Sequence, residues 1–261
     1  MRFKITFNPT GKQRMLPVDY QYYLSAWIYK VIARANPEFA RFLHGTGYSD
    51  GKRQFKLFSY SPLDFGRPQF WKEKSLFEIN SNEISLQVSF YLPEAAEYFI
   101  IGLFNNQQLF VGDKFNGIDL TVSQIERLPE WPVAQMMRYR AISPVVISVK
   151  AEGEKYSRYL SPLDITYQQF IRNNLEQKWK TIPQEMTITN GASIDFALMN
   201  QPKSKLITIK PYTPEESKVR GYLFDFSLTA PVEIQQMVLA SGIGEKNSMG
   251  FGWVEPMLDA K

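Results

Sequence analysis

The chain has 261 residues, of which 44% are hydrophobic and 15% aromatic, and this composition supports a sizeable core and excludes intrinsic disorder. A formal charge of +4 permits an anionic partner without requiring one. The absence of cysteine excludes disulfides, thiol nucleophiles and cysteine-held metal sites, and His44 is the only histidine.

Carboxylates with the spacing of metal ligands are not found in the sequence, so we expect neither a metal nor a cofactor. The longest apolar run, at 98–104, is too short to span a membrane. The first ten residues lack the apolar segment of a signal peptide, and we therefore expect a cytoplasmic protein.

The first half of the chain alternates between strand and helix patterns. Period-2 alternation predicts strands, and an apolar stripe at Tyr20, Leu24, Trp27, Ile28 and Val31 predicts a helix. The predicted elements are a strand at 2–8, helices at 20–35 and 36–45, strands at 56–61 and 84–90, a helix at 93–104 and a strand at 117–125. Their order is β-α-β-β-α-β.

After a proline-containing linker at 128–137, the same order recurs. The predicted elements are a strand at 142–150, a helix at 163–179, strands at 193–198, 206–210 and 222–229, a helix at 231–241 and a strand at 251–255. The fold class is therefore α+β, with two tandem ferredoxin-like (βαββαβ) domains at 1–127 and 138–261.

Four glycines are concentrated within residues 242–252, in a spacing that matches neither the Rossmann nor the P-loop pattern. In one interpretation, backbone N–H groups and polar side chains of this loop contact a phosphate backbone. In the other interpretation, the glycines provide the backbone conformations that a tight helix-to-strand connection with a bulge requires. The candidate phosphate-contacting residues of the first interpretation are Gly242, Gly244, Lys246, Asn247, Ser248, Gly250 and Gly252.

The run GIGEKNSMGFGWV at 242–254 resembles the C-terminal glycine-rich signature of the CRISPR repeat-RNA processing endoribonucleases, members of the superfamily of repeat-associated mysterious proteins (RAMP). Further motifs occur in the order of that family: RFKITF, QYYLSAWIYKVI, NPEFARFLH and KLFSYS. Residues 65–215 match only in pattern. The resemblance implies a duplicated RAMP architecture, with CRISPR repeat RNA as partner and effector-complex subunits as further candidate partners.

The resemblance also implies metal-independent cleavage of RNA, in which the 2′-hydroxyl attacks the adjacent phosphorus and leaves 2′,3′-cyclic phosphate and 5′-hydroxyl ends. The catalytic residues of the family fall on Tyr29, His44 and Lys56. From the residues alone, Tyr29 lies off the apolar stripe of its helix and His44 ends a helix, and both are also compatible with ordinary surface roles. Lys52 and Arg53, in the same basic loop, are alternatives to Lys56.

Basic and aromatic residues of the second half are further candidates for RNA binding, although a solvated charged face explains such residues equally well. They are Arg138, Arg140, Lys155, Arg158, Lys205 and Lys246, with Tyr156 or Tyr159 for base stacking. The alternative function is a non-catalytic RAMP-superfamily RNA-binding subunit of an effector complex. A small-molecule-binding protein is a third possibility.

Overall fold

The computed structural model describes residues 1–51, 53–150, 153, 156–182 and 193–257. The helices are α1 Gln21–Ala35, α2 Pro37–His44, α3 Pro93–Asn105, α4 Tyr167–Lys180 and α5 Val232–Ser241. The strands of the first half are β1 Arg2–Pro9, β2 Met15–Pro17, β3 Tyr48–Ser49, β4 Gln54–Phe55, β5 Phe58–Tyr60, β6 Gln69–Trp71, β7 Leu76–Glu78, β8 Ile84–Phe90, β9 Gln108–Gly112 and β10 Gly117–Leu128. Those of the second half are β11 Met136–Ala141, β12 Ser148–Val149, β13 Arg158–Tyr159, β14 Asp195–Leu198, β15 Lys203–Ile209, β16 Ser217–Leu223, β17 Asp225–Thr229 and β18 Val254–Pro256. Among the residues that the structure describes, none of the helices is both long and apolar enough to cross a membrane.

The first large sheet has the strand order β5-β8-β1-β10-β9, and its neighbouring strands pair antiparallel. The four core strands follow one another in the chain as β1, β5, β8 and β10. Across the sheet they are arranged in the order fourth, first, third, second. The helices α1 and α3 provide the two crossovers. This is the ferredoxin-like arrangement, and β9 adds an edge strand as a hairpin partner of β10.

The second large sheet repeats the arrangement with the order β14-β17-β11-β18. Its first, second, third and fourth strands along the chain are β11, β14, β17 and β18, and α4 and α5 are the crossovers. Each half also has a large hydrophobic core, and Phe55 and Leu57 of the first half are part of the second core. The predicted tandem ferredoxin-like fold is confirmed, whereas the exact domain limits at 127 and 138 stay a prediction.

Two predicted strands of the second half were wrong in position. The first strand of this half lies earlier than the expected 142–150, at Met136–Ala141, so the predicted linker ends inside it, and only Ser148–Val149 of the expected range forms a strand, β12. Pro144 has no N–H to donate to a sheet, and the buried run from Val145 to Ile147 does not alternate. The strand expected at 222–229 divides at Phe224, because its first part pairs with β15 and its second part pairs within the large sheet.

The hairpin of β15 and β16 packs against both halves of the chain. Its buried side chains Ile207, Ile209 and Val219 form a small cluster with Phe251, and Tyr22 of α1 packs against that cluster. The backbone N–H of Thr208 donates a hydrogen bond of 3.1 Å to Asp19 Oδ2, which joins the hairpin to the loop before α1. The hairpin therefore helps to hold the two ferredoxin-like units together.

The helices α1 and α3 pack closely at Gly102. A Cβ atom added at Gly102 would lie 1.8 Å from the carbonyl oxygen of Val31, well inside van der Waals contact. The close approach of these helices therefore requires glycine at this position of α3.

We expect Gly102→Ala to destabilise the protein by about 1–3 kcal/mol, because overpacking outweighs the gain of about 1 kcal/mol in helix propensity. Chemical denaturation measures the change. Glu97→Ala, at an exposed position of the same helix, is the matched control and should change stability by about 0.5 kcal/mol or less. A Gly102→Ala variant as stable as the wild type would contradict the close packing.

Candidate active site

The single histidine lies at the end of α2, a short helix with a well-defined start. The side chain of Asn36 accepts hydrogen bonds from the backbone N–H groups of Glu38 and Phe39, at 3.1 and 3.0 Å, and Pro37 occupies the first turn. The helix ends at His44, whose side chain is exposed. The imidazole is therefore accessible to a substrate.

Tyr29 of α1 contacts the imidazole directly. The two ring centroids are 5.1 Å apart and the rings meet edge to face, while Phe58 packs against Tyr29 at 5.6 Å. Burial raises the pKa of Tyr29 to about 12, although the neighbouring Ser248 side chain acts in the opposite direction. The phenol therefore keeps its proton at neutral pH and is available as a hydrogen-bond donor.

The side chain of Lys56, which follows α2 in the chain, reaches the C-terminal end of that helix. Its Nζ donates to the carbonyl oxygens of His44 and Gly45, at 3.0 and 2.8 Å. These carbonyls have no partner within the helix, so the ammonium group caps the helix end. Burial lowers the pKa of Lys56. The structure therefore brings the predicted Tyr29, His44 and Lys56 together around one helix terminus.

Arg53 and Lys52 are the two alternatives to Lys56 as the catalytic cation. Arg53 forms an ion pair with Glu245 of the glycine-rich loop, with 3.7 Å between Nη1 and Oε1. Lys52 lies outside the described residues. Of the two described candidates, Lys56 is the one that contacts the backbone of His44.

The four glycines of the 242–252 loop are buried, and each has a positive φ between 72° and 88°. A Cβ at Gly252 would lie 2.0 Å from the carbonyl oxygen of Ile243, which excludes a side chain there. A Cβ at Gly250 would lie 3.0 Å from Gln21 and from the hydroxyl of Tyr60. Contacts within the protein thus account for glycine at both positions. An RNA contact by this loop stays a prediction, for which the exposed Lys246 is the best placed side chain.

Lys178 of α4 holds the loop from the side of the second unit. Its Nζ donates to the Gly242 carbonyl and to Asn247 Oδ1, both at 2.8 Å. The Asn247 amide nitrogen in turn donates to the carbonyls of Ile243 and Phe251, each at 3.0 Å. Asn247 is therefore an internal tie of the loop, and its amide is already engaged.

Sequence reasoning did not identify Lys178. The side chain is 1% exposed, and burial lowers the pKa of Lys178 to about 7. One signal was available in the sequence, because Lys178 falls seven residues after Ile171 and three after Leu175, on the buried stripe of α4.

Ser248 joins the loop to α1. Its carbonyl oxygen accepts a buried hydrogen bond from Ser25 Oγ at 2.7 Å. The loop is thus connected directly to the helix that carries the candidate catalytic residue Tyr29.

A cleft of about 630 Å³ lies beside this group and is lined by residues of both units. Four cationic side chains, the buried Lys178 and one carboxylate, Glu245, contribute to its wall, so that its charge favours an anion. The cationic residues are Arg53, Lys56, Lys150 and Lys246. Within the described ranges, no group of three or more His, Asp or Glu residues could hold a metal ion.

The other predicted RNA-binding residues are not among the described residues that line this cleft. Arg140 is held by Asp225 in a bidentate pair at 2.9 and 3.0 Å, and Arg158 lies 3.9 Å from Asp164. Arg138, Lys205 and Tyr156 are exposed elsewhere, Tyr159 is half-buried, and Lys155 lies outside the described residues. Their contact with RNA stays a prediction.

The chain thus combines two ferredoxin-like units with a cationic cleft and with histidine, tyrosine and lysine at its side, an arrangement that suits a protein that processes RNA. Comparison with protein families agrees: models described as CRISPR-associated protein Cas6, N-terminal, and CRISPR associated protein Cas6, C-terminal, match residues 15–126 and 127–256. The chain belongs to the Cas6 family.

Similar proteins extend over nearly the whole chain. The CRISPR-associated endoribonuclease Cas6 of Pyrococcus furiosus is 27% identical over 98% of this chain and 89% of its own length. The CRISPR-associated endoribonuclease Cas6 1 of Methanocaldococcus jannaschii is 27% identical, over 97% and 92%.

Solved structures show the same fold. A Cas6-related protein from Pyrococcus furiosus superimposes with a TM-score of 0.81 at 22% identity, over 100% of this chain and 99% of that protein. A RAMP protein described as binding different RNA substrates gives a TM-score of 0.82 at 20% identity, over 99% and 100%.

The buried Lys178 predicts a pH-dependent stability. Its pKa is about 7 in the folded state and 10.5 as the ordinary value, so the unfolded chain binds a proton that the folded protein releases. Between about pH 7 and pH 10 the free energy of unfolding of the wild type should therefore rise with pH by about 1 kcal/mol per unit relative to Lys178→Met.

Thermal or chemical unfolding across this pH range checks the prediction. Lys180→Met, at an exposed position of the same helix, is the control and should keep the pH dependence of the wild type. Parallel stability curves for the wild type and Lys178→Met would contradict the lowered pKa.

Proposed function

We propose that this protein, an endoribonuclease of the Cas6 family, cleaves CRISPR repeat RNA without a metal ion, by attack of the 2′-hydroxyl on the adjacent phosphorus. The observation that carries the proposal is the grouping of Tyr29, His44 and Lys56 beside a cationic cleft. The 2′-oxygen forms a bond to phosphorus and the bond to the 5′-oxygen breaks, which leaves a 2′,3′-cyclic phosphate and a 5′-hydroxyl.

The reaction requires that a proton leave the 2′-hydroxyl and that another reach the departing 5′-oxygen. The exposed imidazole of His44 is assigned this proton transfer, because one ring nitrogen can accept a proton and the N–H of the other can donate one. The Tyr29 phenol, protonated at neutral pH, donates a hydrogen bond and orients the reacting groups.

Lys56 places a positive charge at the end of α2, next to His44. Negative charge increases on the phosphate oxygens in the transition state, so a nearby ammonium group stabilises that state more than the ground state. A second role is structural, because the same group holds the helix end that carries the imidazole.

The proposed partner is repeat RNA, which the charge of the cleft favours and which agrees with relatives named CRISPR-associated endoribonucleases. The cytoplasm is the proposed compartment. Subunits of a CRISPR effector complex stay a prediction from the sequence resemblance.

We expect His44→Ala to lower the single-turnover rate of cleavage by a factor on the order of 10² to 10⁴ and to leave RNA affinity nearly unchanged. Denaturing gels of repeat RNA and a binding titration measure the two quantities. Glu38→Ala, an exposed change in the same helix, is the control and should keep the wild-type rate. A wild-type rate in His44→Ala would remove the imidazole from the mechanism.

The origin of the nucleophile gives a second test. Cleavage should continue in excess EDTA and should stop when the nucleotide on the 5′ side of the cleaved bond is 2′-deoxy, because the attacking oxygen is then absent. Mass spectrometry should find 2′,3′-cyclic phosphate and 5′-hydroxyl ends. Cleavage of the deoxy substrate, or loss of activity in EDTA, would refute the proposed chemistry.

A further inference from the structure

The helix α4 presents three different side chains to the cleft. Phe170, Asn174 and Lys178 all line it, and their spacing of four residues places them on one face of the helix. Lys178 is engaged by the glycine-rich loop. Phe170 and Asn174 have no part in the proposed cleavage chemistry, so their place in the cleft needs another explanation.

Asn174 is buried but has no hydrogen-bond partner. The side chain is 1% exposed, and within the part of the chain that the structure describes neither its amide nitrogen nor its amide oxygen is paired. Buried polar groups in folded proteins are paired in the great majority of cases, either with protein or with an ordered solvent molecule. The amide offers a donor and an acceptor side by side, which complements the edge of a nucleobase.

Phe170 adds an aromatic surface one turn before Asn174. Its ring is half-buried, and exposed aromatic surface in RNA-binding proteins stacks with unpaired bases. The cleft volume of about 630 Å³ lies in the range of small-ligand pockets and is large enough for a nucleotide. The cationic side chains of the cleft supply a neighbouring site for its phosphate.

We propose that the α4 face formed by Phe170 and Asn174 is a base-specific pocket, which binds one nucleobase of the RNA close to the cleaved bond. The base stacks on Phe170, and the Asn174 amide turns about its side-chain bonds to pair with the base edge. Lys56 lines the same cleft, which places the pocket next to the candidate catalytic group. This inference rests on the proposed function, because it takes repeat RNA as the substrate.

The test measures binding, so that it does not depend on the cleavage step. The probe is a synthetic repeat RNA from the CRISPR array of the source genome, made resistant by one 2′-deoxy nucleotide at the cleaved bond. Derivatives carry a single abasic nucleotide at each position around that bond. The proteins are the wild type, Asn174→Leu, Asn174→Asp and the control Asn173→Leu, whose Oδ1 accepts from Gln169 instead of facing the cleft.

At one position, the abasic change should weaken binding to the wild type by about 10- to 100-fold. Asn174→Leu should weaken binding of the intact RNA by most of that factor and should show little further loss on that abasic RNA. Asn174→Asp, which keeps the volume and removes the donor, should also lose the selectivity, and Asn173→Leu should keep it. Melting temperatures verify that each variant is folded.

Equal selectivity of the wild type and both Asn174 variants at every position would overturn the pocket, as would an equal loss of affinity for all the RNAs. Selective binding without 2′,3′-cyclic ends in a parallel cleavage assay would support the pocket and refute the proposed chemistry. Binding without any dependence on Asn174, together with cleavage that leaves 2′,3′-cyclic ends, would refute the pocket and support the proposed chemistry. A wild type that binds none of the RNAs would refute both.

Discussion

The glycine-rich loop is fixed from two sides, and the geometry of the candidate active site depends on this. Lys178 of α4 binds the loop through Gly242 and Asn247, and the carbonyl of Ser248, the next residue, accepts a hydrogen bond from Ser25 of α1. A displacement of α4 would therefore shift the loop that is bonded to the helix of Tyr29, as well as a wall of the cleft. The second ferredoxin-like unit thus contributes to a site whose three candidate catalytic side chains all belong to the first.

Much of the fold could be predicted from the sequence, because most of its elements carry local signals. The alternation at 2–8 and 84–90 and the buried stripe of α1 follow directly from sheet and helix periods, and the structure confirms them. The strand at 142–150 was wrong because the apolar run around Pro144 is buried outside the large sheet and contributes only a bridge from Val145 to Tyr222 and the short strand β12. Whether such a run pairs depends on neighbours that are distant in the chain.

The family resemblance is confirmed by the two Cas6 models, whereas the roles of Tyr29, His44 and Lys56 stay a proposal supported by their proximity. Sequence reasoning missed Lys178 and Asn174 because polar residues of a helix are usually exposed. Their importance follows from burial against a loop and a cleft formed by segments far apart in the chain. The glycine spacing was noticed, but its contacts within the protein became evident only in three dimensions.

The contact of Lys56 with the end of α2 has a consequence for how a polyanion can approach. An uncapped helix C-terminus carries about half an elementary negative charge, which would repel phosphate at the position of the imidazole. The ammonium group on the His44 and Gly45 carbonyls offsets this repulsion before any substrate arrives. Lys56, which caps the helix, therefore also lowers the electrostatic repulsion between the surface around His44 and a negatively charged RNA backbone.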